Sequence, residues 1–556
     1  AVIDRLVVDL LAALVSGENP RLQKLAVATS SSIEATKEYL IGEQLLRGGQ
    51  YREAAAAYDR ALAIDSTFAL AYYRKSIAAD WIDAPDIRTV ADRAVEFGDR
   101  LSLRDQSLLK ALQHRRRGRS DESEIAYRDH LHTYPDEIEA LAQLGEIYFH
   151  ENPRVGRSIM ESRVPFEHLT ELEEGNLIAQ IHLARIDALE GELDKLSMRV
   201  ELLNQKSPDS ERAVEVNALH AYATRDTAKQ IDIRQNLSTS PWFYTFYAAH
   251  GVARFVRDTH GAVDLLSARS GEAPLLDLLV PTLKVAQGKI TEYHEFMQSR
   301  SLARNSNWDL VEAFILTSGV LAPDLRRLEY LREQIQTADP DEMKATSFVR
   351  AYDDVTRRFL EFEKDFMVGV LSVWLGEEQR AREILDELNG VAEFPGLGTI
   401  RDDAARTLKA ELLWHAGNHE GALETLRQIK YHIPHAATVR VFTDGARSRF
   451  LRAELEYAIG DLETAKGFYE GLDESWSPLD MVYRAEVYER LGDIAEREGR
   501  IDDALRYYSH LLDQWRDCDP DLLPRREHIR ERFQTLLDRS TREPSDIALP
   551  SRQQNR

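Results

Sequence analysis

Cysteine is almost absent from this chain: Cys518 is the single one in 556 residues. That excludes an internal disulfide and any zinc site built on several thiolates. Its neighbours in RDCDPD are acids, which raise a thiol pKa, so no catalytic cysteine is expected there. Long apolar runs are lacking too. None reaches the ~18 residues that suggest a membrane span. LVVDLLAALV (Leu6–Val15) is short and carries Asp9, so it reads as an amphipathic helix and not a signal peptide. The chain does not begin with Met, and the expectation is that more sequence lies upstream. Positive charge is in deficit: 71 Lys and Arg against 95 Asp and Glu leave a formal net charge of −24. Phosphate binding needs the opposite balance, so nucleic acid is not an expected partner. The densest basic stretch, HRRRGR (His114–Arg119), reads as a solvated helix end.

Catalytic motifs are missing as well. There is no GxxxxGK[ST], and GLGTI (Gly396–Ile400) lacks the third glycine and the preceding strand of a dinucleotide loop. No kinase catalytic loop, Asp-Phe-Gly or HExxH occurs among these residues, although there are 16 histidines. His415 and His419 would share a helix face only if Gly417 between them were helical, and it reads as a turn. His130 and His132 point to different sides of a helix, and His432 and His435 flank Pro434. None is assigned as a ligand. No catalytic residue, cofactor or metal is expected, and the chain does not read as an enzyme.

What is present is a spacing. In a 34-residue frame starting at Ala485, Tyr488, Leu491 and Ala495 make one helical stripe, and Ala504, Tyr508 and Leu511 a second. Gly499 lies between them, suited to a tight turn, and Gly492 leaves room for close helix approach. The frame recurs from Ala35 (Gly42, Gly49, Ala54, Tyr58), Arg104 (Ala111, Gly118, Tyr127), Ile138 (Leu141, Gly145), Phe362 (Gly369, Gly376, Ala381), Asp403 (Ala410, Gly417, Ala422) and Ala446 (Ala453, Gly460, Ala465). One such hairpin cannot bury its apolar face alone, but stacked copies bury it for each other and form a superhelix with a concave inner face. The expected organisation is a helical lead-in over 1–34, repeats over 35–204, diverged helical hairpins or a separate helical insert over 205–361, repeats over 362–516, a capping helix within 517–540 and a flexible tail over 541–556. The cap would bury Ile529, Phe533, Leu536 and Leu537.

Seven frames in register resemble the tetratricopeptide repeat (TPR) family, and the fold that this implies is all-α, an α-α superhelix. In that family position 9 faces the concave groove. Here it is Glu43, Glu146, Glu411, Glu454 and Asp493, read either as plain solubility or as an acidic groove for a basic peptide. A second candidate is SPWFYTFYAAH (Ser240–His250), where Trp242 and Phe243 open a run of aromatics. It is either a buried helix start or a partner anchor. Tyr39 and Glu43 stand where chaperone-clamping members carry Lys and Asn, which departs from that clamp. The junction Ala28–Trp81 and the ending Leu511–Pro524 resemble bacterial multidomain regulators, whose repeats often follow a serine/threonine kinase. That resemblance implies a sensor or recruiting arm in cytoplasm or periplasm, with the enzymatic part upstream. The function expected is a protein-interaction scaffold with a protein or peptide partner; a subunit of a larger assembly is the other possibility.

Overall fold

A computed structural model of the chain describes residues 30, 32–82, 84, 86–208, 210, 212–269, 274–301, 306–345, 357–394, 397–434 and 445–542. The Leu6–Val15 segment, His435 and all of the tail beyond 542 lie outside the described residues. Among those described there are 28 α-helices and no strand. The fold is an all-α superhelix of TPR-like hairpins.

The frame glycines explain the hairpins. Gly49, Gly118, Gly376, Gly417, Gly460 and Gly499 all have φ between +70° and +85°, backbone that side chains with a Cβ rarely adopt. Each ends one helix and opens the next. At Gly460–Asp461 the glycine closes Ala446–Ile459, and the Asp461 side chain then accepts the Thr464 N–H at 3.2 Å to start Leu462–Glu474. In the last hairpin, Arg484–Arg497 and Ile501–Gln514, the stripes Tyr488, Leu491, Ala495 and Ala504, Tyr508, Leu511 are all buried. Each buried leucine among them contributes roughly 1.5–3 kcal/mol.

Two hairpins escaped the frame. Ala69–Trp81 with Ile87–Glu96 fills the gap between the first two copies, and Leu177–Glu190 with Leu193–Lys206 follows the third, turning at Gly191. The middle continues the series: Ala213–Ala223 with Thr227–Leu237, Trp242–Gly251 with Thr259–Ser267, Pro274–Ala286 with Ile290–Ser301, and Ser306–Leu316 with Leu325–Thr337. Each pair packs on a neighbouring pair. The terminal helix is Leu523–Arg542. It buries Ile529 and Leu536, while Leu537 is exposed, contrary to expectation. Arg525 clamps it to Glu486 (2.9 Å) and Glu489 (2.6 Å) of the last hairpin.

An ideal solenoid touches only its nearest repeats. This one also meets itself across long sequence separations. The turn Asn152–Val155 packs on Leu462–Glu474, and Pro274–Ala286 packs on the 3-10 turn Pro478–Tyr483. The first contact needs Gly471, because a Cβ there would collide with the Pro153 carbonyl oxygen.

Candidate functional site

The position-9 acids do not line an open groove. Glu43 is buried, accepts a hydrogen bond from the Tyr58 hydroxyl (2.7 Å) and is bonded by Arg74 Nε (2.7 Å) from the next hairpin, whose Nη1 continues to Glu139 (2.5 Å). Glu411 is buried against Arg447 Nη1 at 3.0 Å. Glu454 receives Arg490 at 2.9 and 2.7 Å and the Tyr469 hydroxyl at 2.6 Å. Asp493 is bonded by Arg532 (2.8 Å), Arg497 (2.6 Å) and Tyr457. Four of the five acids therefore tie one repeat to the next through an arginine some thirty to forty residues later. The expected free negative face is spent on these pairs, and only Glu454 and Asp493 keep part of their surface in water.

Buried arginines join parts of the chain that are more than two hundred residues apart. Arg254 donates from Nη1 to the carbonyls of Leu472 (3.0 Å) and Asp473 (3.2 Å), and from Nη2 to that of Ser477. Arg257 grips the Asp473 carboxylate at 3.0 and 2.9 Å, and Tyr488 donates to the same group at 2.9 Å. Arg484 stands 3.2 Å from Asp473 and also donates to the Ala253 carbonyl. Burial opposes ionisation of Asp473, yet Arg257 and Arg484 hold its carboxyl well below the usual range. Burial, and then the Arg484 charge, push Arg254 down to about 9. Next to this clasp, burial and the neighbouring Glu470 push Glu474 up to about 8, although it accepts the Ile159 N–H at 3.1 Å.

The fifth position-9 acid, Glu146, lies in a different setting. Its helix Ile138–His150 also carries His150, one turn on, and helix Leu177–Glu190 brings His182 alongside. His150 Nε2 is 3.5 Å from Glu146 Oε2, His182 Nε2 is 3.5 Å from Glu146 Oε1, and the two imidazole Nε2 atoms are 3.5 Å apart. Around them stand Arg115 (3.3 Å from Glu146 Oε2), Arg185 (Nη1 3.3 Å from His182 Nε2) and Glu215, which takes Arg185 at 2.7 and 3.0 Å. Trp476, from the far end of the chain, covers the Arg185 guanidinium at 4.4 Å. Burial, with Arg185 adding to it, pushes the His182 imidazole well below its usual range, so it is neutral at pH 7. Burial pushes the Glu146 carboxyl up against the pull of Arg115.

Two of the histidine pairs singled out in the sequence lie wholly within the described residues, and neither forms a site. Gly417, at φ +79°, separates His415 from His419. His130 is buried with Nδ1 2.8 Å from the Ser107 hydroxyl, while His132 is exposed. His432 lies 3.4 Å from Asp121. HRRRGR is not a solvated helix end throughout: Arg115 and Arg116 are buried, with Arg116 2.7 Å and Arg115 3.3 Å from Asp80. They carry the charge that the adjacent repeats need inside. The aromatic run divides. Phe246 and Tyr247 are buried, Phe243 is half-buried under Arg52 at 4.5 Å, and Trp242 is 39% exposed. Burial pushes the Cys518 thiol up, more than its acidic neighbour does.

Sequence reasoning missed His150, His182, Arg185, Glu215, Arg254, Arg484 and Trp476. One signal was available: EIYFH places Glu146 and His150 four apart on one helix face.

Among the described residues no helix is long and apolar enough to cross a membrane. No family model matches the chain, and no curated protein matches its sequence. Two solved structures align with most of the chain. The yeast Tom70 crystal structure shares 12% identity over 91% of this chain and 96% of its own, with a TM-score of 0.25. The APC/C hetero-tetramer Cut9-Hcn1 shares 12% over 94% and 96%, also with a TM-score of 0.25. Scores this low add nothing to the fold, which rests on the hairpins themselves.

Proposed function

We propose that this chain is a non-catalytic protein-interaction scaffold that meets a protein partner at the surface around Trp242. The observation that carries this is the contrast between Trp242 and the acids expected to line the groove. Glu43, Glu146 and Glu411 are buried in internal pairs, while Trp242 stands 39% exposed with its edge on Phe243 at 6.1 Å. A large indole left in water beside a half-buried ring and the Arg52 guanidinium has the composition of an interface anchor. Glu454 and Asp493, part-exposed, could add acidic contacts for a basic segment. Affinity capture with the full chain as bait tests the proposal. A specific protein captured by the native chain and lost with Trp242→Ala supports it; equal capture by both chains overturns it.

A second reading draws on the Ala28–Trp81 junction, whose likeness to regulator repeats supports a recruiting arm downstream of a serine/threonine kinase. Reading the gene upstream of residue 1 tests it: kinase motifs support the arm, and their absence overturns it.

A further inference from the structure

We infer that Glu146, His150 and His182 form a binding site for one divalent transition-metal ion of the zinc class. Glu146 Oε2 stands 3.5 Å from His150 Nε2, its other oxygen Oε1 stands 3.5 Å from His182 Nε2, and the two Nε2 atoms are 3.5 Å apart, so the carboxylate bridges the imidazole pair. A tetrahedral ion with bonds of about 2.0–2.1 Å needs its ligand atoms about 3.3 Å apart, so the side chains are already placed to within a small adjustment. Two imidazoles and one carboxylate are also the donor set that such ions favour.

The tautomer is set in advance. His182 Nδ1 lies 2.8 Å from the Ile178 carbonyl, which can only accept, so Nδ1 carries the proton and Nε2 holds the lone pair; it accepts from Arg185 Nη1 at 3.3 Å, a bond that the ion would replace. Orientation of a metal-binding imidazole through its other nitrogen is the usual outer-shell arrangement. Glu146 Oε1 is buried, accepts no hydrogen bond and faces His182 Nε2, an orphaned acceptor at the place where an ion would sit. Phe149 and Phe166 wall the ring of His182 at 4.6 and 4.8 Å. His150, whose side chain keeps 8% of its surface in water, lies at the edge.

The surrounding charges bear on which fourth ligand completes the site. Arg185 is matched by Glu215, and Arg212 lies 3.5 Å from Glu215 as well. Arg115 shares Asp80 with Arg116. An added dication leaves the pocket with surplus positive charge, and Arg185 Nη1 faces the ion position from 3.3 Å off His182 Nε2. The fourth ligand is accordingly an anion, hydroxide or chloride, accepting from that guanidinium. The ion would join two consecutive hairpins beneath Trp476.

Cobalt(II) titration of the full chain tests this, because tetrahedral cobalt gives intense visible ligand-field bands. One equivalent per chain is expected, displaced by zinc. His182→Gln and His150→Gln should each weaken binding by roughly 100-fold or more, by analogy with the losses seen even for outer-shell changes. His432→Ala is the control, since His432 sits in a second, surface cluster with Asp121 and Glu122 and should leave the bands unchanged. If His182→Gln loses its helical circular dichroism, the edge variant His150→Gln decides. Absence of tetrahedral bands in the native chain, their survival in the folded histidine variants, or their loss in His432→Ala overturns the site.

Discussion

Glu454 and Glu146 occupy the same position of the same repeat frame, and their surroundings differ sharply. Glu454 belongs to the outer ladder. Arg490 arrives from the next hairpin with two bonds, Tyr469 adds a third, and water reaches the pair. Glu146 belongs to the closed interior. Its arginine comes from the preceding hairpin at 3.3 Å, two histidines replace the tyrosine, and Trp476 from the distant C-terminal half closes over the group. Frame position fixes which way a side chain leaves its helix. What it meets there depends on whether the superhelix is open or folded onto itself at that level.

The largest test of the contrast lies at the clasp. Asp473→Asn leaves Arg257 and Arg484 buried without their counter-charge, and should cost about 3–5 kcal/mol by urea denaturation. If the clasp were a loose surface contact, the loss would fall to that of an exposed pair. Gly471→Ala comes next. The new methyl meets the backbone oxygen of Pro153, which cannot rotate away, so a net loss of about 2 kcal/mol is expected despite the better helix propensity of alanine.

Glu474 gives a pH-dependent signal. Its folded pKa, pushed up to about 8, lies above the ordinary glutamate value of 4.5. The folded chain therefore holds this proton more tightly than the unfolded one. The associated stability is complete below about pH 4.5 and is lost as pH rises through about 8. Glu474→Gln, permanently neutral, should flatten the difference in melting between pH 5 and pH 8. A steeper profile in the variant would assign the dependence elsewhere. The least effect is expected on the outer ladder: Glu454→Gln should cost no more than ~1 kcal/mol and should shrink further in high salt. A cost as large as that at Asp473 would erase the distinction between ladder and clasp.

The hairpins were legible because their turns need glycine and their stripes need small residues at fixed steps, and both leave marks with a period. Hairpin Leu177–Lys206 could have been found the same way from Ala184 and Gly191. Ala69–Glu96 could not, since the stretch between its two helices, IDAPD, carries no glycine to mark the turn. Self-closure left no such mark. Arg254, Arg257 and Trp476 lie where the frame is interrupted, and each bonds or stacks across hundreds of residues, a relation that no local spacing encodes. The buried arginines of HRRRGR were misjudged for the same reason. Their partners Asp80 and Glu146 come from flanking hairpins, and a charge run looks alike whether water or carboxylates receive it. The trio Glu146, His150 and His182 was half visible as EIYFH and half hidden in the next repeat.

The Arg254 clasp has a consequence for how the protein is born. Its carbonyl partners lie 218 to 223 residues downstream. At a synthesis rate of ~5–20 residues per second, Arg254 waits roughly 10–45 seconds for them to be made. Through that interval the first half of the array has none of these carbonyls to bond, and the clasp can close only after the stretch around Ser477 has left the ribosome.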